Sequence, residues 1–264
     1  MKRTTYIMIA LLVAGLLLTS GFAFYLTLET PSPERTELGE SGMEQVRPLP
    51  VCKSVRLVLE EIGERPVVMP LEICPADSAG GSLSYVSGME NCMKVEALED
   101  STLLLSFNFS EDSFPAALAS ASDGRVYTLS SMRLKLPDAV KAVSIDMPCA
   151  DVSFRGIGRD TFSIRTQSPT KLEECMFDML SVSGNGLELR SGRAEHLHVD
   201  LDETYNWQVH VGSFHIGTEH LFGSNSHACV WQKGESKELL WEPKTDYAKL
   251  NVMLEEASRI VKEE

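Results

Sequence analysis

The sequence has few basic residues for its size. Its 264 residues include 24 lysines and arginines against 38 aspartates and glutamates, which gives a formal net charge of -14 at pH 7. Nucleic-acid binding needs a surface rich in lysine and arginine that neutralises phosphates and releases counterions. No basic, aromatic-interleaved patch occurs in the chain, so we predict no nucleic-acid partner and interpret the acidity as a solvated surface.

The sequence also lacks the motifs of common catalytic and cofactor sites. It contains no G-x-S-x-G elbow, no Walker loop and no C-x-x-C pair, which removes several hydrolase, nucleotide, zinc-finger and thioredoxin-like interpretations. Ser168–Lys171 matches the S-x-x-K of penicillin-interacting enzymes, but no later K-T-G strand accompanies it. We therefore predict a protein that is not an enzyme and that needs no cofactor.

A long uncharged run occupies the N-terminus. Tyr6–Leu28 carries no charged residue, and about 20 apolar residues are enough to cross a bilayer. The basic start MKR precedes the run, and positive charge stays on the cytoplasmic side, so residues 1–5 are predicted to be cytoplasmic. A cleaved signal peptide ending near Gly21–Ala23 is the alternative, but the apolar run continues past that point, which favours a transmembrane anchor. We expect the bulk of this membrane-anchored protein to lie in the periplasm or elsewhere outside the cytoplasm.

The rest of the chain divides by composition into three segments. Residues 29–50 are rich in Pro, Glu, Ser and Gly, which is typical of an extended spacer. Residues 51–243 show repeated period-two alternation and are predicted to form an extracytoplasmic β domain. Residues 244–264 place apolar side chains on one helical face behind an Asp246 cap, which predicts a short C-terminal helical tail.

Six cysteines, an even number, lie in the segment predicted to be extracytoplasmic. Thiols can oxidise there, so the sequence leaves disulfide pairing open. The alternative is that each cysteine is a small buried apolar residue.

Short apolar strands recur at near-regular spacing through the β domain. Leu103, Leu105 and Phe107 lie at alternate positions of one segment, and Leu197 and Val199 lie at alternate positions of another, with Gly-, Ser- and Asp-rich turns between successive segments. This spacing suits a sandwich or a barrel, and it suits equally a right-handed parallel solenoid with two or three short strands in each coil.

Three segments together resemble a known family. MKVEALEDSTLLLSF, LKLPDAVKAVSIDMPCADVSFRGIG and LSVSGNGLELRSGRAEHLHVDLDE are similar to the autotransporter-adhesin head domains of Bacteroidetes, the GIN group or domain of unknown function 2807, and to the related 4097-type repeat domains. The resemblance covers roughly residues 95–241 and lies in the strand pattern. It implies an all-β, right-handed parallel β-solenoid-like domain in the cell envelope, and it brings no catalytic residue.

The histidines are concentrated late in the chain. In HLHVDLD the apolar residues hold odd positions while His196, His198 and Asp200 hold even ones, so the two sets point to opposite faces of a strand. His210 has the same outward parity in WQVHV. Such outward side chains are the candidate metal ligands of the sequence. We predict instead an ordinary solvated face, because a catalytic metal needs a cleft and supporting hydrogen bonds.

The sequence therefore predicts a membrane-anchored, extracytoplasmic β-solenoid scaffold or adhesin-like interaction protein of the bacterial envelope. Its predicted partners are the membrane, through the N-terminal helix, and another envelope protein or a glycan. The alternative function is a metal-binding or hydrolytic envelope enzyme that uses His196, His198 and His210.

Overall fold

The computed structural model describes Gly15 and residues 35–38, 43–63, 66–77, 80–110 and 126–255. These residues form β-strands and one short 3₁₀ helix, Met89–Cys92, which confirms the all-β prediction for this part of the chain. Within it, no helix has the length and apolar character needed to span a membrane. The predicted anchor, Tyr6–Leu28, lies outside the described residues except for Gly15.

The strands, numbered in chain order, are β1 (Arg35–Leu38), β2 (Glu44–Pro48), β3 (Ser54–Ile62), β4 (Val67–Pro75), β5 (Ser82–Val86), β6 (Met93–Ala97), β7 (Thr102–Phe109), β8 (Val126–Leu129), β9 (Met132–Leu136), β10 (Ala142–Asp146), β11 (Ala150–Arg155), β12 (Gly158–Thr166), β13 (Thr170–Glu173), β14 (Cys175–Asn185), β15 (Leu187–Leu189), β16 (Gly192–Tyr205), β17 (Gln208–Val209), β18 (Phe214–Gly223), β19 (Ser226–Gln232), β20 (Ser236–Pro243) and β21 (Lys249–Glu255).

Consecutive strands from β10 to β18 alternate between two sheets. One sheet has the order β17-β15-β13-β11-β4-β9-β5-β2, with β8 and β1 attached beside β4, and the other has the order β20-β18-β16-β14-β12-β10-β3-β7-β6. Each of β10 to β16 pairs in parallel with the strand two places further along the chain. The chain therefore winds in coils, and each coil adds one strand to each sheet.

Residues of one kind stack on one another from coil to coil in the core. Val143 lies beside Ile164, Ile164 beside Val182, and Val182 beside Val199, and all four side chains are buried. Fully burying one such side chain is worth about 1.5–3 kcal/mol. Because every coil contributes a side chain to the same column, a polar residue at any of these positions would disrupt two neighbouring coils as well as its own.

The first part of the β domain departs from purely parallel pairing. The pairs β2–β5, β5–β9 and β6–β7 are antiparallel. Because β2, and β1 beside β8, lie within residues 29–50, the predicted boundary between spacer and β domain at residue 50 is wrong. The turn between β6 and β7 is short: the Leu98 amide donates to the Thr102 carbonyl oxygen at 2.8 Å, and Ser101 adopts a φ of 65°. So short a turn can only return the chain antiparallel, whereas a parallel neighbour requires a crossover of about a dozen residues. The sheets are therefore mixed, and the right hand of the predicted solenoid stays a prediction.

Residues 249–255 form a strand, so the predicted C-terminal helix is wrong for this segment. β21 pairs in parallel with β19, which places Leu250 beside His227 and Val252 beside Cys229, and both apolar side chains pack against the core. The segment alternates apolar and polar residues with period two as well as with helical spacing, and pairing with β19 decides between the two. Residues 256–264 lie outside the described part of the chain.

Each of the six cysteines carries a free thiol, and Cys52, Cys92, Cys175 and Cys229 are buried. Burial raises the pKa of the Cys175 thiol to about 11, and it does the same for Cys229. Thiols of this kind are protonated at neutral pH and poorly reactive. The buried cysteines thus act as small apolar core residues.

Candidate functional site

The histidines of β16 face away from the core, as the alternation predicts. Leu197 and Val199 are fully buried, whereas His196 is exposed and His198 is half-buried. The inside and outside assignment made from residue parity is therefore confirmed for this strand.

The spatial neighbour of His198 is His220, and the predicted grouping with His210 is wrong. His198 pairs with His220 on β18, with ring centroids 4.5 Å apart, and the His196 ring lies 5.7 Å from that of His220. His210 follows β17 in the other sheet, where its Nε2 lies 4.0 Å from Glu188 Oε2. The reason is the coiling of the chain. β17, the strand after β16 in sequence, belongs to the other sheet, so the neighbour of β16 in its own sheet is β18.

The side chains around this histidine face already have other partners. Asp200, the predicted fourth ligand, accepts a hydrogen bond from Lys244 Nζ at 2.5 Å. Partial burial, together with neighbouring His220 and His196, lowers the pKa of His198, so the imidazole is neutral at neutral pH. In the described part of the chain, no group of three or more His, Cys, Asp or Glu side chains is arranged to hold a metal ion. That these outward histidines form a solvated face and hold no metal stays a prediction.

A groove opens where one of the two sheets ends. β18 and β20 continue the nine-stranded sheet, but β19 pairs with β21 in a separate two-stranded sheet and is not paired with β17, the last strand of the ten-stranded sheet. The space between residues 204–209 and β19 is a groove of about 710 Å³. Small-molecule sites typically measure ~300–1,000 Å³, so the groove is large enough to be a binding site.

The groove follows a bulge in β16. Val199 pairs with Val182, but the next pair joins Thr204 to Gly184. Residues 200–203 therefore stand opposite Ser183 alone, and the Thr204 hydroxyl donates to the Asp200 carbonyl oxygen to close the bulge. Bulges bend a strand and re-aim its side chains. Here the displaced chain forms only the two-residue strand β17 before it returns to the nine-stranded sheet as β18, and the ladder of the ten-stranded sheet stops at β17.

Asp202 fixes the tip of the bulge to the following coils. Its carboxylate accepts hydrogen bonds from the Ser224 amide at 2.9 Å, from His227 Nε2 at 2.9 Å and from Lys244 Nζ at 3.1 Å. These donors, the Ser224 amide first among them, hold the pKa of the Asp202 carboxyl well below its usual range. The carboxylate stays ionised at neutral pH and makes one end of the groove rigid.

Aromatic and amide side chains line the rest of the groove. Tyr205 is 59% exposed, and its hydroxyl donates to the Asp202 carbonyl oxygen at 3.0 Å. Trp207 is partly buried and packs against the core. Asn206 donates from Nδ2 to Asn185 Oδ1 at 3.0 Å, which ties the groove wall to the preceding coil. Further amides come from three residues of the lining: Gln208, Asn225 and Gln232.

Two buried carboxyl groups lie in or near the groove: Glu235 belongs to its lining, and Glu219 interacts electrostatically with Glu235. Glu219 on β18 is 1% exposed, and among the described residues its Oε1 finds no hydrogen-bond partner. Glu235 lines the groove and is 6% exposed, and its carboxylate accepts a hydrogen bond from the backbone N–H of Gln232 at 2.8 Å. Burial, and then the charge of Glu235, raise the pKa of Glu219 to about 8, so this side chain is largely protonated at neutral pH.

Sequence reasoning did not identify the groove or the buried carboxyl groups. The signal for Glu219 was available, because it shares the inward parity of Leu221, two residues along the same strand. The groove has no equivalent local signal, since it depends on which strands pair.

No family model matches the sequence, and no curated protein matches it. Several solved structures are similar in fold. A "putative adhesin" from Bacteroides fragilis is 10% identical, with a TM-score of 0.44 over 83% of this chain and 96% of that one. A "putative lipid binding protein" from Parabacteroides distasonis is 11% identical, with a TM-score of 0.39 over 84% and 97%. A "putative cell adhesion protein" from Clostridium sporogenes is 11% identical, with a TM-score of 0.28 over 81% and 100%. Such values carry no argument about function, and the particular family predicted from the sequence stays a prediction.

Proposed function

We propose that this protein is a non-enzymatic interaction protein of the bacterial envelope, in which a membrane-anchored β-solenoid scaffold holds a binding surface away from the membrane. The proposal combines two parts: the location, which rests on the sequence, and the binding role, which rests on the geometry of the coiled strands.

The observation that carries the binding role is the regular outward face of the nine-stranded sheet. Outward side chains of successive coils stand in register: Ser163 lies beside Ser181, Ser181 beside His198, and His198 beside His220. Adjacent strands are about 4.8 Å apart, and each internal strand is held by hydrogen bonds on both sides. The side chains therefore form a rigid, evenly spaced array. Stacked coils of this kind provide extended surfaces suited to macromolecular or polymeric partners.

The location is supported by the uncharged run Tyr6–Leu28. A single apolar helix is sufficient for an anchor.

Protease protection tests the location. In spheroplasts that express the full chain, added protease should degrade the β domain while a cytoplasmic marker stays intact, and the protein should stay in the membrane after a high-salt wash. A β domain that becomes accessible only after detergent lysis would contradict the proposed topology. A soluble form that begins at Phe24 would replace the anchor by a cleaved signal peptide.

Co-sedimentation tests the binding role. Liposomes carrying the full-length protein should bind isolated bacterial envelope vesicles more strongly than protein-free liposomes do. Ser181→Lys places a bulky charged side chain in the middle of the outward array and should reduce this binding, whereas Lys233→Ala, in the exposed turn before β20, should not. Equal sedimentation with and without the protein would refute the proposed role.

A further inference from the structure

We propose that the groove between β17 and β19 binds a neutral oligosaccharide. This inference rests on the proposed function, because it names the class of partner that an envelope interaction protein would recognise. It is carried by three properties of the groove: fixed aromatic rings, several amide side chains and, among the described residues of its lining, the absence of lysine and arginine.

The aromatic rings provide surfaces on which a sugar ring can stack. Tyr205 is 59% exposed at the groove, and its hydrogen bond to the Asp202 carbonyl oxygen fixes the direction of the ring. Trp207 lies two residues away in the same wall and is held by packing against the core. The face of an aromatic ring is electron-rich, and the C–H groups on the flat side of a pyranose are weakly positive. Two fixed rings in one wall therefore favour a chain of pyranoses over a compact apolar ligand.

The amides match the hydroxyl groups of a sugar. A sugar hydroxyl both donates and accepts hydrogen bonds, and an amide side chain offers two donors together with an acceptor. Asn206, Gln208, Asn225 and Gln232 bring four such groups to the groove. β17 adds backbone groups, because β15 pairs with it on one side and the groove lies on the other.

The charges of the groove select a neutral ligand. The lining residues that the structure describes include Asp202 and Glu235 and no lysine or arginine. Lys244, which lies beside Asp202, is already paired with Asp202 and Asp200, so among the described residues it offers an anionic ligand no unpaired positive charge. A phosphorylated or acidic sugar would enter this site unpaired, which is costly in a half-enclosed groove.

The open shape of the groove is also consistent with an oligomer. Its volume of about 710 Å³ falls in the upper part of the ~300–1,000 Å³ range of small-molecule sites, and it runs along the split between two sheets. A single monosaccharide would leave much of this volume empty.

Titration of the full-length protein in detergent micelles tests the proposal. The probes are neutral tetrasaccharides of glucose, mannose, galactose and N-acetylglucosamine, with sialyllactose as the anionic comparison. Tryptophan fluorescence and calorimetry should show saturable binding of at least one neutral tetrasaccharide and weaker binding of sialyllactose. Tyr205→Ala and Trp207→Phe should each weaken binding about five- to tenfold. Tyr247→Ala is the matched control, since Tyr247 is 69% exposed and does not line the groove.

The outcomes separate this proposal from the general function. Failure of every neutral tetrasaccharide to bind, or unchanged affinity in Tyr205→Ala, would overturn the oligosaccharide site. If liposomes carrying the protein still bound envelope vesicles in that case, the interaction role would stand and the partner would be of another class. Stronger binding of sialyllactose than of every neutral probe would refute the charge argument directly.

Discussion

Replacing Glu219 by glutamine should stabilise the protein at pH 8 and make its stability less dependent on pH. Glu219 is 1% exposed, and the negative charge of nearby Glu235 disfavours ionisation of its carboxyl group. An ionised carboxylate in this position would be desolvated, and among the described residues one of its oxygens has no hydrogen-bond partner. Glutamine has nearly the same shape and cannot ionise, so it should occupy the site without this penalty.

The size of the effect follows from linkage. Burial raises the pKa of Glu219 from 4.5 to about 8, with Glu235 as the second cause. Between these two pH values the folded state keeps a proton that the unfolded chain has released, so stability falls as the pH rises through this window. At ~1.36 kcal/mol per pKa unit, the full loss amounts to about 4–5 kcal/mol. A domain typically has only ~5–15 kcal/mol of stability, so this one group should dominate the pH dependence above pH 5.

Urea unfolding, followed by tryptophan fluorescence at several pH values from about 5 to 8, measures this effect. The unsubstituted protein should lose several kcal/mol across the range, and Glu219→Gln should lose little. Glu238→Gln is the matched control, because Glu238 is an exposed carboxylate on the neighbouring strand β20, and it should keep the original slope. If Glu219→Gln kept that slope, or were less stable than the unsubstituted protein at pH 8, the burial argument would be refuted.

Three further outcomes are expected. Val199→Asp should unfold the domain by burying an unpaired charge, while His198→Ala should change stability by no more than about 0.5 kcal/mol in thermal denaturation; the reverse order would invert the two faces of β16. The purified protein should retain no stoichiometric zinc, and added zinc should scarcely change its Tm. A zinc site in the folded state would raise the free energy of unfolding by about 2.7 kcal/mol when the zinc concentration is a hundred times the Kd. One zinc per chain that resists dialysis, and that is lost in a His196→Ala/His198→Ala variant, would contradict this expectation. Asp202→Asn should destabilise the fold at neutral pH, and this cost should shrink progressively as the pH falls below 3.8, because the unfolded chain then binds a proton that the folded carboxylate, with its lowered pKa, does not yet bind. Urea midpoints at neutral pH and at several acidic pH values test it.

The orientation of side chains could be predicted from the sequence because it is a local property. On a strand, neighbouring residues point to opposite faces whatever the strand pairs with. The burial of Leu197 and Val199 and the outward direction of His196 and His198 follow from this rule alone.

The identity of neighbours could not be predicted in the same way. His210 is closer in sequence to His198 than His220 is. Consecutive strands, however, lie in different sheets, so the spatial neighbours of a strand are the strands two places away in the chain. The strand at residues 249–255 shows the same limit: its apolar residues satisfy both a helical and a strand period, and the partner β19 determines which one forms. Pairing is a non-local property, so parity and spacing do not reveal it.

The groove shows how a non-local feature can begin with a local one. The strands of a solenoid stay paired in register only when each coil has the same number of residues between equivalent pairs. Between the pairs Val182–Val199 and Gly184–Thr204, β16 has four residues and β14 has one. The excess forms the bulge at residues 200–203, Asp202 fixes that bulge to Ser224 and Lys244, and the sheet behind it fails to reach β19. Regular coils use nearly all their backbone hydrogen-bonding groups on one another. In a coil with a different number of residues, some backbone N–H and C=O groups do not pair with the next coil, and some side chains do not pack in the core. These groups are then available to bind a ligand. Binding chemistry in a stacked fold is therefore expected where the residue count of a coil changes, and in this protein that place holds Tyr205, Trp207 and the amides of the groove.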